Sequence, residues 1–169
     1  MKKAAILIEK EFQDLEVYCP YYRLKEEGYE VLFLGTGSAN TYFGKYGLPV
    51  KVDADVDSVD PSDFSAVIIP GGWAPDHLRT YDSVISFVRK LNQDKKIIAS
   101  ICHGGWVLAS ADIINGKKVT SYRAVRDDLI HAGGLFEDSE LVVDGNIITS
   151  RKPDDLPVFC KAIIEALKK

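Results

Sequence analysis

Short apolar runs of strand length alternate along the chain with longer stretches whose apolar residues recur at helical spacing. This alternation predicts an α/β fold with a mostly parallel sheet buried on both faces. Strands are expected at Ala4 to Ile8, Glu30 to Leu34, Ala66 to Ile69 and Ile97 to Ile101. Between the first two, Asp14 is a candidate cap for a helix in which Leu15, Tyr18, Tyr22 and Leu24 approximate helical spacing and which ends at Gly28. Pro20 should kink that helix or sit in its first turns. Further helices are expected from Tyr81 to Gln93, directly after Cys102, over residues 124 to 132 before Gly133-Gly134, and from about Asp154 to Lys168. In the last of these, Val158, Ile163, Ile164 and Leu167 serve the core, and Lys168 and Lys169 gather at the negative end of the dipole. Leu141 to Val143 and Ile147-Ile148 flank Asp144-Gly145-Asn146 as a tight hairpin. Residues 36 to 53, with Tyr42, Gly44, Tyr46, Gly47 and Pro49, suggest a hairpin or an irregular excursion. No repeat, linker or low-complexity tract interrupts the pattern, so residues 1–169 read as a single domain.

The 169 residues carry 21 Lys and Arg against 25 Asp and Glu, a net charge of −4. A general nucleic-acid binder needs a basic excess or patch, so no nucleic-acid partner is expected. At 46% hydrophobic and 27% charged residues the composition is that of an ordinary globular chain. A fold of this length buries roughly 70% of the surface its unfolded chain exposes, so disulfide staples are not required. The three cysteines, at 19, 102 and 160, show neither a Cys-x-x-Cys pair nor close spacing. That argues against a disulfide framework or a structural zinc site and favours a reducing, cytoplasmic setting. Ala4 to Ile8 is too short for a signal-peptide core, and no apolar run approaches the ~18 residues of a membrane span. A soluble, unexported protein without a membrane partner is the expectation. Asp53, Asp55 and Asp57 mimic the start of a calcium loop, but Ser58 stands where Gly is required and Phe64 where the bidentate Glu belongs. Gly35-Thr36-Gly37-Ser38 lacks the remaining glycine of a dinucleotide fingerprint, and no phosphate loop with Gly-Lys-Ser/Thr is present. Neither a metal nor a cofactor is expected.

In open α/β sheets the working residues collect at the carboxyl ends of the strands. Three of the loops there are chemically loaded: Glu9-Lys10-Glu11, Pro70-Gly71-Gly72 and Cys102-His103-Gly104. Ser100-Ile101-Cys102-His103-Gly104 has the form small-x-nucleophile-x-small between a strand and a helix, which is a nucleophile elbow with Cys in place of Ser. A sharp strand-to-helix turn crowds the residues two positions away, so only small ones fit. A sulfur at a helix N-terminus is favoured as thiolate, and a fall of two pKa units, about 2.7 kcal/mol, would leave it mostly ionised at pH 7. A buried structural Cys at a strand end would give the same local sequence. The His103 ring could reach the sulfur as base and then acid, and Asp76 is one candidate carboxylate to orient that ring. His77 and His131 lack comparable context and read as surface or satisfied histidines. Gly71-Gly72 lets backbone amides approach a ligand, as in an oxyanion hole, or is a plain turn. Glu11 lies within reach of the same sheet edge, and a carboxyl facing a thiolate would have a raised pKa and could stay protonated and donate to sulfur.

These motifs together resemble one family. Glu11-Phe12-Gln13-Asp14-Leu15-Glu16, Val67-Ile68-Ile69-Pro70-Gly71-Gly72, Ala99-Ser100-Ile101-Cys102-His103-Gly104, Thr120-Ser121-Tyr122 and Asp127-Asp128-Leu129-Ile130-His131-Ala132-Gly133-Gly134 are similar to the PfpI/ThiJ family of intracellular cysteine peptidase-like proteins, within the class I glutamine amidotransferase-like superfamily. The likeness runs almost end to end, through Thr149-Ser150-Arg151 and Pro153-Asp154-Asp155-Leu156-Pro157. It implies a flavodoxin-like three-layer sandwich with Cys102 as nucleophile, Glu11 hydrogen-bonded to its sulfur, His103 as partner, and an oxyanion hole made by the amides of Gly72 and His103. It also implies a homodimer or ring of dimers in which the acid completing the triad, at the position of Asp76, comes from a neighbouring subunit. Activities attributed to the family are peptide and amide hydrolysis, conversion of glyoxals to hydroxy acids, and removal of early glyoxal adducts from proteins. Gly105-Trp106 stands where the family often has Pro, and Asp76 is one methylene shorter than the Glu of some members. No His follows His131, which argues against a true amidotransferase. The expectation is thus a cysteine hydrolase acting on a small carbonyl or peptide substrate. The alternative is a redox-responsive stress protein or chaperone that uses an oxidisable Cys102 with little turnover.

Overall fold

A strand with no polar side survives only where both of its faces are covered. Ala4 to Leu7, Ala66 to Ile69 and Ile98 to Ile101 are all buried, and they form the middle of the sheet. In the computed structural model, which describes residues 2–169, the chain runs β1 (Lys3–Leu7), α1 (Asp14–Glu26), β2 (Glu30–Gly35), β3 (Thr41–Phe43), β4 (Pro49–Lys51), β5 (Ala54–Asp55), β6 (Phe64–Ile69), α2 (Ala74–Leu78), α3 (Asp82–Gln93) and β7 (Ile97–Ile101). It continues through α4 (Gly105–Ser110), β8 (Lys118–Val119), α5 (Arg126–His131), β9 (Leu135–Phe136), β10 (Val142–Asp144), β11 (Ile147–Ser150) and α6 (Leu156–Leu167).

The main sheet has the order β10-β11-β7-β6-β1-β2-β5 and is parallel except for β10, which pairs antiparallel with β11 across the expected hairpin. Helices α1 and α6 pack together on one face, and α3 and α4 cover the other, giving a three-layer α/β sandwich. Among the long parallel strands the order β2-β1-β6-β7-β11 is that of flavodoxin-like sheets, and it reverses direction between β1 and β6. The crevice outside the carboxyl ends at that reversal is where such folds place ligands. Here it brings together the loop after β1, the two glycines after β6 and the turn after β7.

Two local expectations change in the structure. Asp14 does not cap α1: the Gln13 side chain accepts the Glu16 N–H at 3.0 Å instead. Asp14 is thereby free to turn its carboxylate toward residues 36 to 53, where it accepts the amides of Tyr46 at 2.9 Å and Leu48 at 3.0 Å. That segment is an antiparallel β3–β4 hairpin, and Gly44 is needed in it because a Cβ there would lie 2.5 Å from the Asp14 carboxyl. Pro20 sits within α1, which continues through it to Glu26. The helix after Cys102 is only six residues long and is preceded by a tight turn over Cys102 to Gly104.

Replacing Asp14 with Ala removes one carboxylate and strands two amide donors, so we expect a loss of about 2–3 kcal/mol of stability. Hydrogen exchange localises the effect: the amides of Tyr46 and Leu48 should exchange faster by a larger factor than those of β6. Equal acceleration throughout would show that Asp14 does not tether the hairpin.

Candidate active site

Strand β7 ends at Ile101 in extended geometry, and Cys102 follows with φ of 60°, a left-handed conformation that a side chain rarely adopts. The bend is held by crowding. A Cβ on Gly104 would lie 2.5 Å from the Ile69 carbonyl oxygen and 2.7 Å from Ser100 Oγ, so the residue two places beyond the cysteine has to be glycine. A Cβ on Gly71 would lie 2.7 Å from both Cys102 Cβ and Glu16 Oε2, and 3.0 Å from Cys102 Sγ. Gly71 therefore leaves the space that a thiol and a carboxyl share. Cys102 as a residue is buried, with 8% of its surface exposed. The backbone N–H groups of Gly72 and His103 donate to it.

The carboxyl in this space is Glu16, not Glu11. Glu11 is exposed at a φ of 59°, and its backbone does the work: its N–H donates to Phe43 O and its carbonyl accepts the Trp73 N–H, both at 2.8 Å. Those two bonds tie the loop after β1 to the β3–β4 hairpin and to the turn after β6. Glu16 is fully buried there, with Oε2 accepting the Gly71 N–H at 2.7 Å and Oε1 left without a partner. Its position was legible in principle, because Glu16 lies on the helical stripe of Val17, Pro20 and Leu24 that packs inward. A charged residue on a buried stripe is a signal.

Burial pushes the Glu16 carboxyl up to about 7, although the Gly71 amide and the Lys45 charge oppose the shift. Burial, and next the charge of Glu16, push the Cys102 thiol up to about 12, against the pull of the His103 and Gly72 amides. These effects oppose the pull toward thiolate expected of a sulfur at a helix N-terminus. A six-residue helix that begins three residues further on supplies too little field to offset the loss of water and a facing carboxylate. At pH 7 the thiol keeps its proton and the carboxyl beside it is about half ionised.

His103 Nδ1 lies 3.2 Å from Cys102 Sγ. Its ring stacks on Tyr122 with centroids 5.1 Å apart and is walled by Trp106 at 5.2 Å and Trp73 at 5.4 Å. Burial, then the Lys45 charge, lower its pKa below 6.5, so it is neutral and able to accept a proton at pH 7. Asp76 lies exposed on α2 and makes no bond to His103 within the chain. Lys45, on the hairpin and over the Trp73 ring at 6.0 Å, is a site residue that the sequence pattern did not single out. Among the described residues no group of three or more His, Cys, Asp or Glu could hold a metal ion, and no helix is long and apolar enough to cross a membrane.

A carboxyl raised from 4.5 to about 7 on folding takes up protons in the native state, so stability is greatest below pH 4.5 and is lost as pH rises through 7. The Glu16→Gln variant keeps an acceptor for Gly71 and cannot ionise. We expect it to exceed the wild type in stability by up to about 3 kcal/mol at pH 8 and to match it near pH 4. Chemical denaturation at the two pH values tests this, and a difference independent of pH would overturn it.

Comparison with known proteins places these residues in context. The chain is 43% identical over 166 residues to Deglycase PH1704 of Pyrococcus horikoshii, an alignment covering 98% of this chain and 99% of that one. It is 42% identical over 167 residues to Putative cysteine protease YraA of Bacillus subtilis, covering 99% of each. Among solved structures, a two-domain protein from Anabaena variabilis containing DJ-1/ThiJ/PfpI-like and ferritin-like domains superposes with a TM-score of 0.97 at 41% identity over 99% of this chain. The chain spans about half of that longer protein, 48% of its length. The model of the DJ-1/PfpI family matches residues 2–166, and the chain belongs to that family.

Proposed function

We propose that the chain is a cysteine-dependent enzyme acting on small carbonyl compounds, removing glyoxal adducts from amines and converting the glyoxal to a 2-hydroxy acid. The observation that carries this reading is the triangle at the elbow: a strained cysteine whose sulfur faces a buried carboxyl of pKa about 7 and lies 3.2 Å from a neutral imidazole. The deglycase name belongs to the Pyrococcus horikoshii relative and agrees with it. A cysteine only 8% exposed, beside a histidine walled by aromatic rings, suits a small electrophile better than an extended peptide.

The chemistry follows from the proton shared by Cys102 and Glu16. The Glu16 carboxylate takes the thiol proton as Sγ bonds to the carbinol carbon of the adduct, and the protonated carboxyl then hydrogen-bonds to sulfur. The carbon–nitrogen bond breaks, the amine leaves with the proton that Glu16 took from the thiol, and a hemithioacetal remains on Cys102. His103 moves the proton of that carbon to the neighbouring carbonyl carbon through an enediol, which turns the hemithioacetal into a 2-hydroxy thioester. The amides of Gly72 and His103 hold the charge that develops on oxygen. Water cleaves the thioester, releasing the hydroxy acid and restoring the thiol. By this reading copies of the chain assemble, and Asp76 of a second copy orients His103.

We expect Cys102→Ser to abolish conversion of methylglyoxal, and His103→Ala to lower kcat by at least about 100-fold. Wild-type turnover by Cys102→Ser would end the enzymatic reading. Survival of peroxide oxidation of Cys102 in His103→Ala beside a negligible wild-type rate would instead favour the redox role. The labelling rate of Cys102 with iodoacetamide should rise about tenfold per pH unit below 7 and level off above it, because the reactive form is the singly protonated pair. A single titration at the pKa of a free thiol, about 8.5, would show that Glu16 and Cys102 do not share a proton.

A further inference from the structure

Tyr122, whose ring stacks on His103, also lines an open groove of about 850 Å³, within the range of small-molecule sites. Tyr122 ties that groove to the elbow, donating its backbone N–H to the Cys102 carbonyl at 3.2 Å. The charge along it is uneven. Arg123, Arg126, Arg151 and Lys152 face it against the carboxylates of Asp127 and Asp138, in a chain whose overall charge is −4.

The four cations are not equivalent. Arg151 is fully used: its Nε and Nη2 bond the two oxygens of buried Asp155 at 3.0 and 3.2 Å, and its Nη1 bonds Asp138 at 2.9 Å. It is a fixed wall, and it accounts for one of the two acids in the groove. Lys152 makes a loose exposed pair with Asp154 at 3.1 Å, which solvent screens. Arg123 and Arg126 form no ion pair among the described residues, and the Arg126 guanidinium lies over the Phe136 ring at 6.0 Å. Two unpaired guanidinium forks on one groove wall, with a lysine nearby, match the oxygens of a doubly charged tetrahedral anion better than a single carboxylate.

We propose that this groove is a binding subsite for a phosphate monoester carried by the substrate, held by Arg123, Arg126 and Lys152 while the carbonyl end passes Tyr122 to reach Cys102. This rests on the function proposed above and narrows its substrate class to small phosphorylated amines bearing a glyoxal adduct. A nucleic-acid polymer is disfavoured by the net negative charge of the chain, which opposes a long polyanion while leaving a local site for one phosphate.

The test uses full-length protein and methylglyoxal adducts of ethanolamine, phosphoethanolamine and β-alanine. Wild-type kcat/KM should be at least about tenfold higher for the phosphoethanolamine adduct than for the ethanolamine one, mainly through KM, and the R123Q/R126Q double variant should bring the ratio near one. A wild-type ratio near one overturns the proposal, and an equal gain with the β-alanine adduct replaces phosphate with carboxylate and overturns it as stated. Inorganic phosphate is titrated separately at constant ionic strength, followed by backbone amide shifts. Saturable shifts at residues 121 to 126, lost in R123Q/R126Q, support the subsite even if no adduct is turned over, an outcome that would count against the enzymatic reading alone. Absence of shifts, or tighter binding of a single-stranded oligonucleotide than of phosphate at the same residues, overturns it.

Discussion

A thiol and a carboxyl share one small, largely buried space, where two negative charges would repel each other. Everything at the sheet edge serves this pair. Gly71 is glycine because a side chain would fill the space, and its amide anchors one oxygen of Glu16 while the other is buried without a partner. Two amide donors draw charge onto the sulfur, and desolvation together with Glu16 pushes it off. The outcome is a thiol that keeps its proton beside a carboxyl whose pKa lies near 7, where general acid–base chemistry is most effective.

The rest of the fold fixes where that carboxyl stands. The loop after β1 crosses the Gly-Gly turn, with the Gln13 N–H on the Gly71 carbonyl at 3.1 Å and the Trp73 N–H on the Glu11 carbonyl. Those bonds seat the first turn of α1 over the end of β7, which brings a residue of the first helix to a cysteine 86 positions later in the chain. The reversal of strand order between β1 and β6 makes the meeting topologically possible.

Much of this was readable from residues alone. The four central strands, the elbow spacing at Ser100, Cys102 and Gly104, and the loaded loops all follow from sterics and periodicity. Position after the first strand, together with the family resemblance, points to Glu11 as the carboxyl. That reasoning cannot see that the Glu11 backbone is spent on two hydrogen bonds, or that a helical residue five positions on points inward. The thiolate was expected from the helix N-terminus, and the structure shows desolvation as the larger effect. The hairpin over residues 36 to 53 lacked a clear pattern because much of its order comes from Asp14, outside it.

The hairpin carries Lys45, whose charge acts on both Glu16 and His103, and it is fastened to α1 at Asp14, two residues from Glu16. Lifting it by a few ångströms withdraws one positive charge from two titrating groups at once and makes each more basic. The proton balance of Glu16 and His103 is thus tied to the placement of a surface loop as well as to the residues that touch the sulfur.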